Sequence, residues 1–153
     1  MRTLKKAINP EPDFWRKIAN KIIKAIKKRT AGGMDYNDKP FKRYSVAYAE
    51  RKSANKFKRQ ASAFASKKPN LIVTSDMLKD LKLIGFAKGW FTIGWPAFGE
   101  RVLHNEDMGR AIIGPESDPL GNRLENTVVK AYDKEIGRRL DKWAAKDINL
   151  TIG

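Results

Sequence analysis

The chain has 153 residues, no cysteine, one histidine and a formal net charge of +15. That length suits one domain able to bury a sizeable core unaided, and the missing thiols exclude disulfide scaffolds and thiolate metal sites. No apolar run approaches the ~18 residues of a membrane span, so no membrane partner is expected, and the basic start MRTLKKAINP lacks the apolar stretch of a secretory signal.

The charge is unevenly placed. Residues 1–70 carry 20 Lys/Arg against 5 Asp/Glu, whereas residues 71–153 carry 12 of each. A basic helix and extended loop over 1–70 therefore precede a neutral core region over 71–153, within one domain. Such asymmetry points to a polyanion or an acidic protein surface facing the first half.

Trp15, Ile18, Ala19, Ile22, Ala25 and Ile26 recur at helical spacing and predict a helix from about Pro12 to Thr30. Asp13 suits its first turn, Lys27, Lys28 and Arg29 its last, and Gly32-Gly33 supplies the stop. Lys17, Lys21, Lys24 and Lys28 fall on its opposite face, a self-repelling stripe suited to solvent, to phosphates or to carboxylates.

From Ala31 to about Asn70 the periodicity weakens, and nearly forty loosely structured residues are expected. Within them Ser45 can cap a short helix on which Tyr44, Ala47 and Tyr48 share a side. The tract KRQASAFASKKPN reads as a mobile tether. Leu71–Thr74 is expected to be extended, followed by a helical turn capped by Thr74 or Ser75 with Met77, Leu78 and Leu81 inward.

Leu83–Ala87 and Trp90–Trp95 predict a hairpin turning at Lys88-Gly89, with Phe91, Ile93 and Trp95 on one face. AFGERVLHNEDMG predicts a short helix stopped by Gly109, and RAIIG a strand. Asp118-Pro119 is expected to open a last helix with the stripe Leu124, Val128, Tyr132, Ile136, Leu140 and Trp143. In the terminal DINLTIG, Ile148, Leu150 and Ile152 alternate with polar residues, as in a strand that completes its own sheet or is added to a neighbour's edge. The order implies an α+β fold: a small, mainly antiparallel sheet covered by two long amphipathic helices, with a long basic loop or arm.

Catalytic chemistry is sparse. One His without Cys leaves no room for the usual nucleophile–base pairs, and His104 has too few acidic neighbours for a metal site. No glycine loop has phosphate-cradling spacing, so neither an enzyme nor a cofactor is expected. A nucleic-acid-binding protein is the alternative reading. Lysines interleaved with Tyr36, Phe41, Tyr44 and Tyr48 could contact phosphates and stack bases.

GMDYNDKPFKRYSVAYAERK followed by NLIVTSDMLKDL resembles a pattern of the neck and tail-completion proteins of tailed bacteriophages, G-x-D-x-x-G-x-P-F-x-x-Y-S-x-x-Y-A-x-x-K and then N-L-x-x-T-G-D-M-L. The matching positions are Gly33, Asp35, Pro40, Phe41, Tyr44, Ser45, Tyr48, Ala49 and Lys52, then Asn70, Leu71, Thr74, Asp76, Met77 and Leu78. VLHNEDMGRAIIG is similar to that family's helix–His–Gly–Arg approach to a strand ending in Gly. Asp38 and Ser75 stand where the pattern has glycines, which loosens the turns it implies, because positive φ is costly for residues with a Cβ.

The resemblance implies a non-enzymatic virion protein made in the host bacterial cytoplasm and placed at the neck and tail junction. It would form a ring of six or twelve copies, as a terminator, connector or other completion component. Its neighbours would be other neck proteins, portal or adaptor, and tail tube, with DNA possible as a passing partner. On this view Tyr36, Phe41, Tyr44 and Tyr48 anchor the loop on its own body or on an adjacent subunit, and Ile148, Leu150 and Ile152 add to subunit contacts.

Overall fold

The computed structural model describes residues 9–57, 65–71 and 75–148. The elements are α1 (Pro12–Ala31), α2 (Val46–Ser53), α3 (Asp76–Asp80), β1 (Lys82–Ala87), β2 (Trp90–Gly94), α4 (Gly99–Asp107) and α5 (Asn122–Ile148). The fold is α+β: a two-stranded antiparallel sheet with helices packed around it.

α1 begins at a proline, whose missing N–H costs nothing in a first turn. Its buried stripe of Ile18, Ala19, Ile22, Ile23 and Ile26 lies across both strands. The hairpin pairs Leu83 with Ile93 and Phe86 with Phe91, with a bulge between Leu83 and Gly85. Phe91, Ile93 and Trp95 face the core as the two-residue repeat requires. α5 packs against α1 rather than spreading over the sheet. Trp15 lies at the junction, its ring centroid 6.5 Å from Phe91 of β2 and 5.8 Å from Tyr132 of α5. Further along α5, Glu135 accepts from Arg138 and Arg139, and Arg139 donates to the Asn9 carbonyl at 3.2 Å.

Phe41, Met77, Leu78, Leu81, Val102, Ile112 and Leu124 complete the core, so it draws on both the basic and the neutral part of the chain. Asp80 at the end of α3 accepts from the Ala97 and Phe98 amides at 2.8 and 3.0 Å, which fixes the approach to α4.

Several expectations need correction. Residues 33–57 are built into the body instead of trailing from it. Asp35 Oδ1 accepts from the Asn37 and Lys39 amides at 2.8 Å each, and the Phe41 amide donates to the Gly33 carbonyl at 2.8 Å. Ser45 does cap α2, accepting from the Tyr48 amide, but Ala47 is exposed and does not share the side of Tyr44 and Tyr48. Residues 110–114 form no strand, because other groups take their carbonyls: Ala111 accepts from the Tyr36 amide and Ile112 from Arg29.

The last helix starts at Asn122, not at Pro119. Asp118 Oδ1 accepts from the Gly121 amide at 2.9 Å, and Gly121 has φ +73°, outside the helical region. At the other end the helix continues through Ile148, so no strand begins there; Leu150 and Ile152 lie outside the described residues, as do most of the tether tract and Ile72–Thr74.

Asp38 (φ 60°) and Ser75 (φ 66°) both adopt the left-handed backbone. The turns therefore keep the geometry that glycine would serve, with the side chains bearing the strain.

One cation holds this arrangement together. Arg29 falls on the buried stripe of α1, and its guanidinium donates to the carbonyls of Tyr36 (2.8 Å), Ile112 (2.8 Å) and Leu120 (3.1 Å). Burial lowers its pKa, while the nearby carboxylates of Asp38 and Asp35 oppose that shift. Gly114 and Gly121 complete the joint: a Cβ on Gly114 would strike the Tyr36 ring and the Asp118 carbonyl, and one on Gly121 the Tyr36 carbonyl.

Arg29→Met leaves three carbonyls without their donor and is expected to cost about 3–5 kcal/mol in urea unfolding, since each unsatisfied buried group costs ~1–3 kcal/mol. Ser75→Gly relieves a left-handed Cβ and loses no side-chain cap bond, so it should raise stability by about 0.5–1 kcal/mol in the same assay.

Candidate functional site

The segment of residues 33–52, which ends in α2, meets Lys68, Asn70 and Leu71 in space. The Leu71 amide donates to Tyr44 Oη at 3.0 Å, and the Lys52 ammonium donates to Asn70 Oδ1 and, at 3.3 Å, to the Lys68 carbonyl. Leu71 has φ 55°, a strained conformation for a branched residue, and the Tyr44 hydroxyl is what receives its amide.

Two cations lie close to the Tyr44 ring. The Arg110 guanidinium is 4.9 Å and the Lys52 ammonium 5.2 Å from its ring centroid, within cation–π range. Arg110 is itself buried and donates to the carbonyls of Lys42 (2.9 Å) and Arg43 (3.0 Å), tying the chain after α4 to the entry of α2. Tyr48 packs on Tyr44 with centroids 4.6 Å apart, and Phe57 on Tyr48 at 4.9 Å.

Lys52 is wholly buried, and desolvation lowers its pKa from 10.5 to about 8. Burial pushes the Tyr44 phenol up to about 12, against the opposing effect of the Leu71 amide.

A cleft of about 510 Å³ opens beside this cluster, lined by Tyr44, Tyr48, Asp76, Arg101, His104 and Arg110 among others. His104 is exposed on α4, and among the described residues no three His, Asp or Glu side chains converge as metal ligands.

The expected anchor residues are thus occupied within their own chain. Phe41 is 3% exposed in the core, and the half-buried Tyr36 lies against Gly114. Tyr44 and Tyr48 form the cation-flanked stack, so these aromatics do not stand free to stack bases. Lys17, Lys21, Lys24 and Lys28 are all exposed on the outer face of α1. Ile148 ends α5.

Sequence reasoning missed the outer face of the hairpin. Trp90 is 52% and Ile84 55% exposed, with the Trp90 ring over Gly85 and the Ile84 side chain beside Gly94. The signal was present, since Trp90 alternates against Phe91 and Ile93. Among the described residues the strands pair only with each other, leaving the outer edge of each without a strand partner.

The two titrating groups give opposite pH slopes. The unfolded chain binds the Lys52 proton more tightly, so wild type should gain stability relative to Lys52→Met as pH rises from about 8 to 10.5. The folded chain binds the Tyr44 proton more tightly, so wild type should lose stability relative to Tyr44→Phe between about pH 10 and 12. Denaturant midpoints measured across pH 7–12 for the three proteins (a range chosen to cover roughly both windows) check both signs.

No protein-family model, curated protein or solved structure matches this chain.

Proposed function

We propose that the chain is a structural subunit of the neck and tail junction of a tailed bacteriophage, acting without catalysis as one copy in a homo-oligomeric ring that completes the tail or joins it to the head. The observation that carries this reading is the left-handed backbone at Asp38 and Ser75. These are the two positions at which the sequence departs from the family pattern, and both adopt the left-handed backbone that glycine enters without strain. A chance likeness in residue types gives no reason for that agreement.

The hairpin is the surface we assign to self-association. An isolated two-stranded sheet with an uncovered apolar face and open edges gains by pairing with a further strand or packing against a second sheet. Exposed Trp is also the kind of residue that anchors interfaces. Phe41 and Tyr44 are unsuited to test assembly, because their removal acts first on the core and on the joint with Leu71. Neighbouring portal, adaptor or tail-tube proteins would meet the ring through other faces.

Light scattering on the purified protein should find a multimer whose fraction rises with concentration. Ile84→Lys combined with Trp90→Glu should leave a monomer with nearly unchanged thermal unfolding. Wild type that stays monomeric at every concentration contradicts ring formation. A double variant that assembles like wild type moves the interface away from the hairpin.

A further inference from the structure

We propose that the outer ridge of α1, formed by Lys17, Lys21, Lys24 and Lys28, is a binding surface for the phosphate backbone of duplex nucleic acid. The inference rests on this face alone and is independent of ring assembly. The four lysines lie opposite the buried stripe of Ile18, Ile22 and Ile26, and all four are exposed. At 1.5 Å per residue they span about 16 Å, the length over which one strand of a duplex presents roughly five phosphates. The only acid on α1 is Asp13, which already pairs with Arg16 at 2.9 Å. Among the described residues none of the four lysines pairs with a carboxylate.

Like charges at these spacings oppose one another along the helix, so the ridge gains nothing for the lone fold. Lys27, at its flank, adds to the same field. A polyanion removes the repulsion.

The composition of the ridge separates nucleic acid from an acidic protein. Protein interfaces are depleted in lysine at their centre and enriched in aromatic residues, Met and Arg. Between these lysines the exposed neighbour is Asn20, and no large apolar side chain is uncovered on this face. Flexible point charges without an apolar anchor suit phosphate contacts that carry no sequence information. The form of nucleic acid follows from the aromatics. Binding of single strands relies on rings that stack bases; none lies on this ridge, and Tyr44, Tyr48 and Phe57 pack on one another at tilted angles away from it. The ridge therefore reads a backbone, not bases.

The test measures affinity for a short duplex of mixed sequence by fluorescence anisotropy over a salt series. Wild type is compared with a variant carrying Gln at all four ridge positions. A control of equal net charge carries Gln at Lys56, Lys88, Lys130 and Lys142, which are exposed elsewhere in the fold. Each lost phosphate contact lowers the slope of log K against log salt by about 0.9, so the ridge variant should lose about three to four from it. The control should keep nearly the wild-type slope, and a duplex of unrelated sequence should bind equally well. Equal losses in the two variants would show that net charge, not the ridge, drives binding, and would overturn the inference. So would wild type that ignores duplex at low salt, or one that binds polyglutamate in its place. Circular dichroism of both variants verifies that the exposed substitutions leave the fold intact.

Discussion

The guanidinium of Arg29 is the contact on which the rest of the structure depends. It lies where a pattern of buried isoleucines would place another apolar side chain, and it joins the loop after α1 to two neighbouring segments some eighty to ninety residues further along the chain. Residues 33–40, 110–114 and 118–121 have little regular structure of their own, and Arg29 takes one carbonyl from each. A buried cation is costly unless its donors are used; here backbone carbonyls take both terminal nitrogens, and only Nε is left without a partner among the described residues. Arg110 and Lys52 repeat the solution nearby, bonding to the carbonyls of Lys42, Arg43 and Lys68. Three buried cations, two of them from the basic half, thus act as internal ties rather than as surface charge.

This changes what the basic half is for. An expected arm becomes, over residues 33–57, a folded part of the body whose aromatics pack on one another, against cations or into the core. The surfaces left for partners are then elsewhere. α1 packs by one side on the inner face of the hairpin, so the lysine ridge and the Ile84–Trp90 face look outward from opposite sides of that pair of layers. Self-association through one and a polyanion on the other would not compete for space.

Periodicity made α1, the hairpin, α4 and the body of α5 legible, because each carries an apolar repeat that burial then uses. The α2 cap was legible for a different reason: Ser45 has a local job that needs no tertiary partner. What stayed hidden was decided by long-range polar contacts. Nothing local distinguishes Arg29 from Lys28 beside it, although its place seven residues after Ile22 puts it on the buried stripe. Residues 110–114 have the composition of a strand, but their carbonyls go to Arg29 and Tyr36. Asp118-Pro119 has the look of a helix start, yet Asp118 closes a turn onto Gly121. The aromatics expected to anchor the loop on its own body or on a neighbour pack within this chain, and the contacts of Tyr44 with Arg110 and Lys52 are of a kind that an apolar pattern does not register.

Internal cations thus fold the basic segment within a single subunit. Amide hydrogen exchange on dilute, monomeric protein addresses it directly, at Tyr36, Phe41 and Leu71, whose N–H groups bond to the Ala111 carbonyl, the Gly33 carbonyl and the Tyr44 hydroxyl. Protection of these amides on the scale of those in α1 agrees with the claim. Exchange at the rate of an unstructured chain, with protection gained only on assembly, would contradict it.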